Sequence, residues 1–278
     1  PHSPWAANCR AMISGMASNP KNKPIVKKSL RLLLAAAVWL LVWQIVYSII
    51  GREVLFASPL SVFQRLFELV RTVGFWLKTG SSLLGITEGY LLGVAAGVLL
   101  AVLTSLSDWL YAIFKPMLTV IKSTPVVSFI ILALVWMSKT GVPVFISFLM
   151  VLPIVWANLT AGIRATDKNL LEMARVYRFG ARKTLRYVYF PSVLPSLLSA
   201  LTTAIGFAWK AGIAAEVIST PRNSIGAQLY NSKVYLETVD LFAWTVVVIA
   251  ISMLFEKLIV LAVRRIADAA ERRHAVWK

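Results

Sequence analysis

The chain has 278 residues, of which 58% are hydrophobic and only 15% charged, and its mean hydropathy is +0.74. A soluble domain of this size would carry about 25% charged residues, whereas here the apolar residues fall in runs of roughly 20, the length a helix needs to cross a ~30 Å hydrocarbon core. The net charge of +17 does not indicate a nucleic-acid partner, because Lys and Arg cluster between the apolar runs, where the positive-inside rule places them.

Residues 1–29 are polar and irregular, with Pro1, Pro4, Pro20, Pro24, Lys21, Lys23, Lys27 and Lys28, and are expected to be a disordered cytoplasmic segment. Met16 is a candidate natural start. A first span is predicted over residues 30–50; the charged-then-apolar order of residues 27–47 resembles a signal peptide, but the apolar part is too long and no clean small-x-small cleavage site follows. Cys9 is the single cysteine, so no internal disulfide can form, and with two histidines no metal site is readable.

Pro59 opens an amphipathic stretch, S-V-F-Q-R-L-F-E-L-V, expected to lie at the outer interface. The second span, residues 81–104, carries Gly85, Gly89, Gly93 and Gly97 at a strict spacing of four. That spacing puts all four on one helical face, where backbones of membrane helices pack closely. The third span, residues 109–137, is expected to be interrupted by Pro116 and Pro125, with S-T-P-V-V releasing carbonyls that protein or a water-lined path must satisfy. Residues 142–163 form a fourth span, 191–213 a fifth, and 241–263 a sixth; residues 214–240 read as a polar excursion containing P-R-N-S-I-G. Six spans place both termini on one side, and the near balance of charge in residues 51–80 and 214–240 puts those segments outside and the termini in the cytoplasm.

Between the fourth and fifth spans lies a basic insert. Arg164, Lys168, Arg175, Arg178, Arg182, Lys183 and Arg186 face only Asp167 and Glu172. Asn169 followed by Glu172 has capping-box spacing, and Asp167 adds negative charge at the positive end of the helix dipole. Leu170, Met173, Ala174 and Tyr177 make a short apolar stripe, Phe179-Gly180 is the expected stop, and a second basic helix over residues 182–189 leads to Pro191. Such a helix suits docking into a partner's groove; lying on lipid headgroups is the alternative, and spacing alone does not choose.

Ionisable residues inside the spans cost at least ~2.5 kcal/mol on insertion scales, so each is a candidate functional residue. Glu88 is expected to have a structural partner on another span. Lys210 either snorkels to the interface or faces the protein interior, where its charge would attract an anion. Glu216 follows six residues later, about 240° round the helix, and so does not neighbour Lys210.

Glu172-Met173-Ala174, followed nineteen residues after the glutamate by Pro191 and then by Leu194-Pro195, resembles the E-A-A loop of binding-protein-dependent ABC transporter permeases. W-K-A-G-I-A-A-E-V-I at 209–218, S-I-G-A-Q-L-Y at 224–230 and D-L-F-A-W-T at 240–245 are similar to the nitrate/sulfonate/taurine branch, and the similarity covers residues 59–265. The resemblance implies an all-α, MetI-like polytopic membrane protein of about six transmembrane helices. Its permease domain would span residues 30–265, with a cytoplasmic coupling loop at 164–190 and a basic tail at 266–278. It also implies a homodimer in a bacterial inner membrane, with an ATPase dimer below and an extracytoplasmic substrate-binding protein above. The cargo would be a small nutrient, an organic or inorganic anion.

The chain has no G-x-x-x-x-G-K-[ST] phosphate loop. It is therefore expected to bind no cofactor and to leave ATP and Mg to the ATPase. The resemblance makes Asn169, Leu170, Tyr177, Phe179 and Gly180 part of the docking surface. Glu172 would cap or bond, Met173 and Ala174 would fill the ATPase cleft, and Arg175 and Arg178 would pair with acids. One departure stands out: the family's glycine falls six residues after the glutamate, where this chain has Arg178, and the nearest glycine is Gly180. The coupling helix is accordingly expected to run half a turn further. An ion-coupled secondary transporter is the alternative function, for which Glu88 is the one candidate coupling acid.

Overall fold

A computed structural model describes residues 25–275; of the disorder expected over residues 1–29, residues 1–24 lie outside the described residues and residues 25–29 are helical instead. The chain divides at Pro59 into two units. In the first, α1 spans Ile25–Ile50 and so begins ahead of residue 30. Its described apolar run, Leu34–Ile50, leaves Leu34, Trp39, Leu41, Ile45 and Ile49 exposed, as suits a helix surrounded by lipid. Gly51, at φ +64, ends it with its amide donating to the Tyr47 carbonyl at 2.9 Å.

The second unit holds α2 (Pro59–Val70), α3 (Val73–Leu106), α4 (Asp108–Ser123), α5 (Val126–Trp136) and α6 (Gly141–Arg164). There follow α7 (Lys168–Val176), α8 (Ala181–Ser219), α9 (Ile225–Val234) and α10 (Thr238–Ala275). Helices α3, α6, α8 and α10 are long and apolar enough to cross a membrane. The third expected span is instead a pair, α4 and α5, bent by 104°. Pro116 is absorbed within α4 and breaks nothing. Pro125 makes the break, because it forces the residue before it out of the helical region; Thr124 sits at φ −80°, ψ 135°.

The core is the α3–α6–α8 packing. The glycine stripe on α3 meets α6 as its spacing predicts, with one exception. A Cβ at Gly89 would lie 2.3 Å from the Val144 carbonyl oxygen, at Gly93 2.7 Å from Val151 Cβ, and at Gly97 2.8 Å from Val155 Cβ. At Gly85 the nearest atom would be Val144 Cγ2 at 3.7 Å, an ordinary contact. Further along the same interface the Trp156 indole donates to Thr104 Oγ1 at 2.9 Å, which satisfies a polar group that lipid could not.

Helix α8 absorbs two elements that the sequence kept apart. The basic segment and the fifth span form one helix, continuous through Glu216 to Ser219. Pro191 has no amide to donate and would normally disrupt a helix at this point. The chain accommodates it with a π-helical turn over Leu185–Tyr189, in which the Phe190 amide reaches back to the Leu185 carbonyl.

Candidate functional site

Helix α7 is the exposed basic helix. Its N-cap is Asp167, whose carboxylate accepts from the Asn169 amide at 2.9 Å. The expected Asn169–Glu172 capping box is therefore displaced by two residues, since Asp both accepts from the free amides and sets a full negative charge at the dipole's positive end. Glu172 lies inside the helix, exposed, and caps nothing.

The helix also ends earlier than expected. Arg178 takes a left-handed conformation at φ +49. Its amide donates to Arg175 O at 3.0 Å, and the Phe179 amide donates to Ala174 O at 2.8 Å. These two bonds close the Schellman turn that usually holds glycine at the position Arg178 occupies. Arg178 thus stops the helix where the family's glycine would, and the extra half turn does not form. Gly180 is not left-handed; at φ −67° it is the N-cap of α8, and its carbonyl accepts from the Lys183 and Thr184 amides.

The stripe splits on folding. Ala174 is buried, only 2% exposed, against the chain's own fold and cannot fill a partner's cleft. Leu170 and Phe179 are half-buried. The outward apolar face is Met173, Val176 at 79% exposure and Tyr177 at 71%, at the i, i+3, i+4 spacing that shares one face. Val176 belongs to this face, and the sequence reading missed it. Asn169, Arg175 and Arg178 are exposed around it.

The ionisable residues of the spans separate into two kinds. Ser82 Oγ donates to Glu216 Oε2 at 2.8 Å, and four residues on, a Cβ at Gly212 would fall 2.6 Å from Ile86 Cγ1. Antiparallel α3 and α8 in this register bring Glu88 and Lys210 to one level. Each lies two residues past Ile86 or Gly212, about 200° round its own helix, and so points away from the other. Both are exposed and make no hydrogen bond or ion pair with another described residue. The structural partner expected for Glu88 on another span is absent among the described residues. Glu88 instead lines a cleft of about 940 Å³ with Ser81, Gly85, Thr140 and Phe148.

Glu216 is buried and belongs to a polar knot. Its Oε2 accepts from Ser82 Oγ and from the Gly226 amide at 3.0 Å, while Ser82 Oγ accepts from the Ile225 amide at 2.9 Å. A Cβ at Gly226 would sit 2.3 Å from Glu216 Cβ. The glycine of S-I-G-A-Q-L-Y and the glutamate of W-K-A-G-I-A-A-E-V-I thus fit one contact, which joins α9 to α3 and α8. Spacing could not reveal it, because Ser82 is 134 residues from Glu216. A second long-range tie joins α2 to α10, where Arg65 grips Asp240 through Nε at 2.5 Å and Nη2 at 3.0 Å. That bond, with a further one to Glu68, raises the Arg65 pKa and keeps it cationic.

A family model described as binding-protein-dependent transport system inner membrane component matches residues 89–273. The bicarbonate transport system permease protein of Synechococcus elongatus is 25% identical over 233 residues, covering 80% of this chain and 83% of that protein. The nitrate import permease protein of Synechocystis is 24% identical over 210 residues, covering 72% and 76%. A solved bacterial ABC transporter involved in the import of the acidic polysaccharide alginate shares the fold, with a TM-score of 0.60 at 16% identity, over 85% of this chain and 95% of that one.

Proposed function

The chain belongs to the family of binding-protein-dependent transport system inner membrane components, and from that premise we propose that two copies form the path by which an ATP-driven importer carries a small anion into a bacterial cell. The chain is a multi-pass permease, a transport component and not an enzyme. ATP and Mg are handled by a separate ATPase dimer, and a substrate-binding protein delivers the cargo from outside. The observation that carries the ATPase reading is α7: an exposed apolar face, Met173, Val176 and Tyr177, ringed by Arg175 and Arg178 and leading directly into α8. Such a face suits an apolar cleft with an acidic rim on a cytoplasmic subunit. The basic residues of the loop support a cytoplasmic α7 and cytoplasmic termini, with the bacterial inner membrane as the setting.

Anionic cargo is supported by the bicarbonate and nitrate named in the two relatives and by Lys210. An exposed ammonium about 14 Å inside the end of α8 supplies a positive charge within a span, where ionisable groups mark substrate paths. The test is direct. Replacing Val176 and Tyr177 by aspartate should abolish copurification with the ATPase and substrate-stimulated ATP hydrolysis, and intact coupling would refute the docking face. A Glu172→Lys variant that kept full stimulation would remove Glu172 from it. For the cargo, Lys210→Gln should raise the KM for anion uptake several-fold in proteoliposomes; an unchanged KM would rule Lys210 out of the path.

A further inference from the structure

Helix α4 divides its surface three ways. Tyr111, Phe114, Leu118 and Ile121 lie on the face that packs against α3 and α6, where Leu118 is fully buried with Ala101, Leu152 and Trp156. Ile113, Met117 and Val120 form one exposed flank, as apolar as the lipid tails it suits. The other flank carries Lys115, Thr119, Lys122 and Ser123, all exposed, at the i, i+4, i+7, i+8 spacing of one helical stripe. At 3.6 residues per turn the two flanks point about 140° apart.

The polar flank is cationic, and the chain does not neutralise it. Tyr111 stacks on Trp156 with ring centroids 5.7 Å apart. The Arg164 guanidinium lies 3.9 Å and the Lys115 ammonium 5.5 Å from the Tyr111 ring centroid. Asp108 offers Arg164 one exposed contact at 3.4 Å, and neither lysine pairs with an acid among the described residues. Lys122 lies two turns beyond Lys115, about 10 Å along the helix, in the last turn before the break. At the break the Thr124 amide and hydroxyl both donate to Val120 O, at 3.0 and 2.8 Å. Pro125 has no amide to return to the Ile121 carbonyl. Lipid satisfies neither the lysine charge nor the broken backbone; inside a membrane both are tolerated against protein or a water-filled cavity.

We propose that Lys115 and Lys122 select the anion, on a water-filled wall of the transport path that Thr119 and Ser123 complete. This rests on the importer reading, in which the path runs between two copies of the chain: the polar flank of α4 then faces the path and the Ile113 flank faces lipid. The Thr119 hydroxyl donates to Lys115 O at 2.8 Å and the Ser123 hydroxyl to Val120 O at 3.1 Å. Their protons are thus engaged, which leaves the two ammonium groups as the donors to a passing anion. Set two turns apart, they bind it in succession, and neither holds it too firmly for release.

The test uses the assembled transporter in nanodiscs, with its ATPase. Cys9 is the chain's single cysteine, so a Cys9→Ser background carries one introduced thiol at a time. The probes are two membrane-impermeant methanethiosulfonates, one bearing a sulfonate and one a trimethylammonium, with modification of this chain read by mass. Thr119→Cys and Ser123→Cys, both near-isosteric, should react at least tenfold faster than Ile113→Cys and Val120→Cys. At position 119 the sulfonate reagent should outpace the trimethylammonium reagent at least fivefold, each normalised to its rate with free cysteine. Lys122→Gln should bring that ratio towards one and Lys122→Arg should keep it. Equal reactivity on the two flanks, or none at 119 and 123, overturns the water-filled wall. Fast modification with a ratio near one, or a ratio indifferent to Lys122→Gln, overturns anion selection by the lysines. Either failure leaves the importer standing where the binding protein still stimulates wild-type ATP hydrolysis. A wild-type complex without that stimulation overturns the importer reading, and this assignment with it.

Discussion

Replacing Arg178 by glycine should make the end of α7 more stable while making the transporter worse. Arg178 holds φ +49 at the C-terminal turn. For a residue with a Cβ the left-handed conformation costs roughly 1–2 kcal/mol. Glycine removes that cost but gives the unfolded chain extra freedom, about 0.4–1 kcal/mol, and loses a cation near the helix C-terminus, at most about 1 kcal/mol where exposed. The balance is a net gain of about 0.5 kcal/mol, a factor of roughly 2 in local opening at RT ≈ 0.59 kcal/mol. Arg178→Asn should be near neutral, since Asn tolerates this conformation. Arg178→Val keeps the strain, adds β-branching and loses the charge, and should lose at least 1 kcal/mol. Hydrogen exchange reads this directly at the Phe179 amide, bonded to Ala174 O at 2.8 Å. Protection should order Gly, then Asn and Arg, then Val. If glycine lowered protection as much as valine, the backbone conformation would not be what governs this turn. In the assembled importer the same glycine variant should reduce ATPase coupling, because the charge facing the partner is gone while the fold is firmer.

The glycine stripe gives a matched pair. Gly89→Ala would push a methyl to 2.3 Å from a backbone oxygen and should cost about 3 kcal/mol or more, whereas Gly85→Ala, with 3.7 Å of clearance, should stay within about 0.5 kcal/mol; thermal unfolding in detergent compares them. Asp167→Ala should cost about 1 kcal/mol of α7 stability and Asn169→Ala much less. Equal effects in hydrogen exchange over α7 would mean that Asp167 is not the cap.

The apolar runs, the glycine stripe and the basic insert were all legible in the sequence, because each is a local pattern whose period maps onto one helix face. Boundaries were less so. Asp167 and Asn169 are both good caps, and only the backbone decides between them. Pro191 looks like a helix start, yet a π turn lets the helix pass through it. Pro116 and Pro125 look alike as breakers, but only the second has its preceding residue extended. Arg178 could be singled out only as a departure from the family's glycine, and its left-handed φ explains why a glycine is expected there at all. The Glu216 knot and the Arg65–Asp240 pair were out of reach for a simpler reason, since each joins residues more than 130 positions apart.

Were α8 to bend at the π turn over Leu185–Tyr189, it would act as a lever with its pivot close to one end. The α-helical arm beyond it, Phe190–Ser219, has 30 residues and is about 45 Å long at 1.5 Å per residue. A tilt of about 10° at the pivot would swing its far end by about 8 Å on that length, and the short arm before the pivot, residues 181–184, would barely move. The wide turn that accommodates a proline would then also be where a small push beside α7 becomes a large displacement at Glu216 and α9.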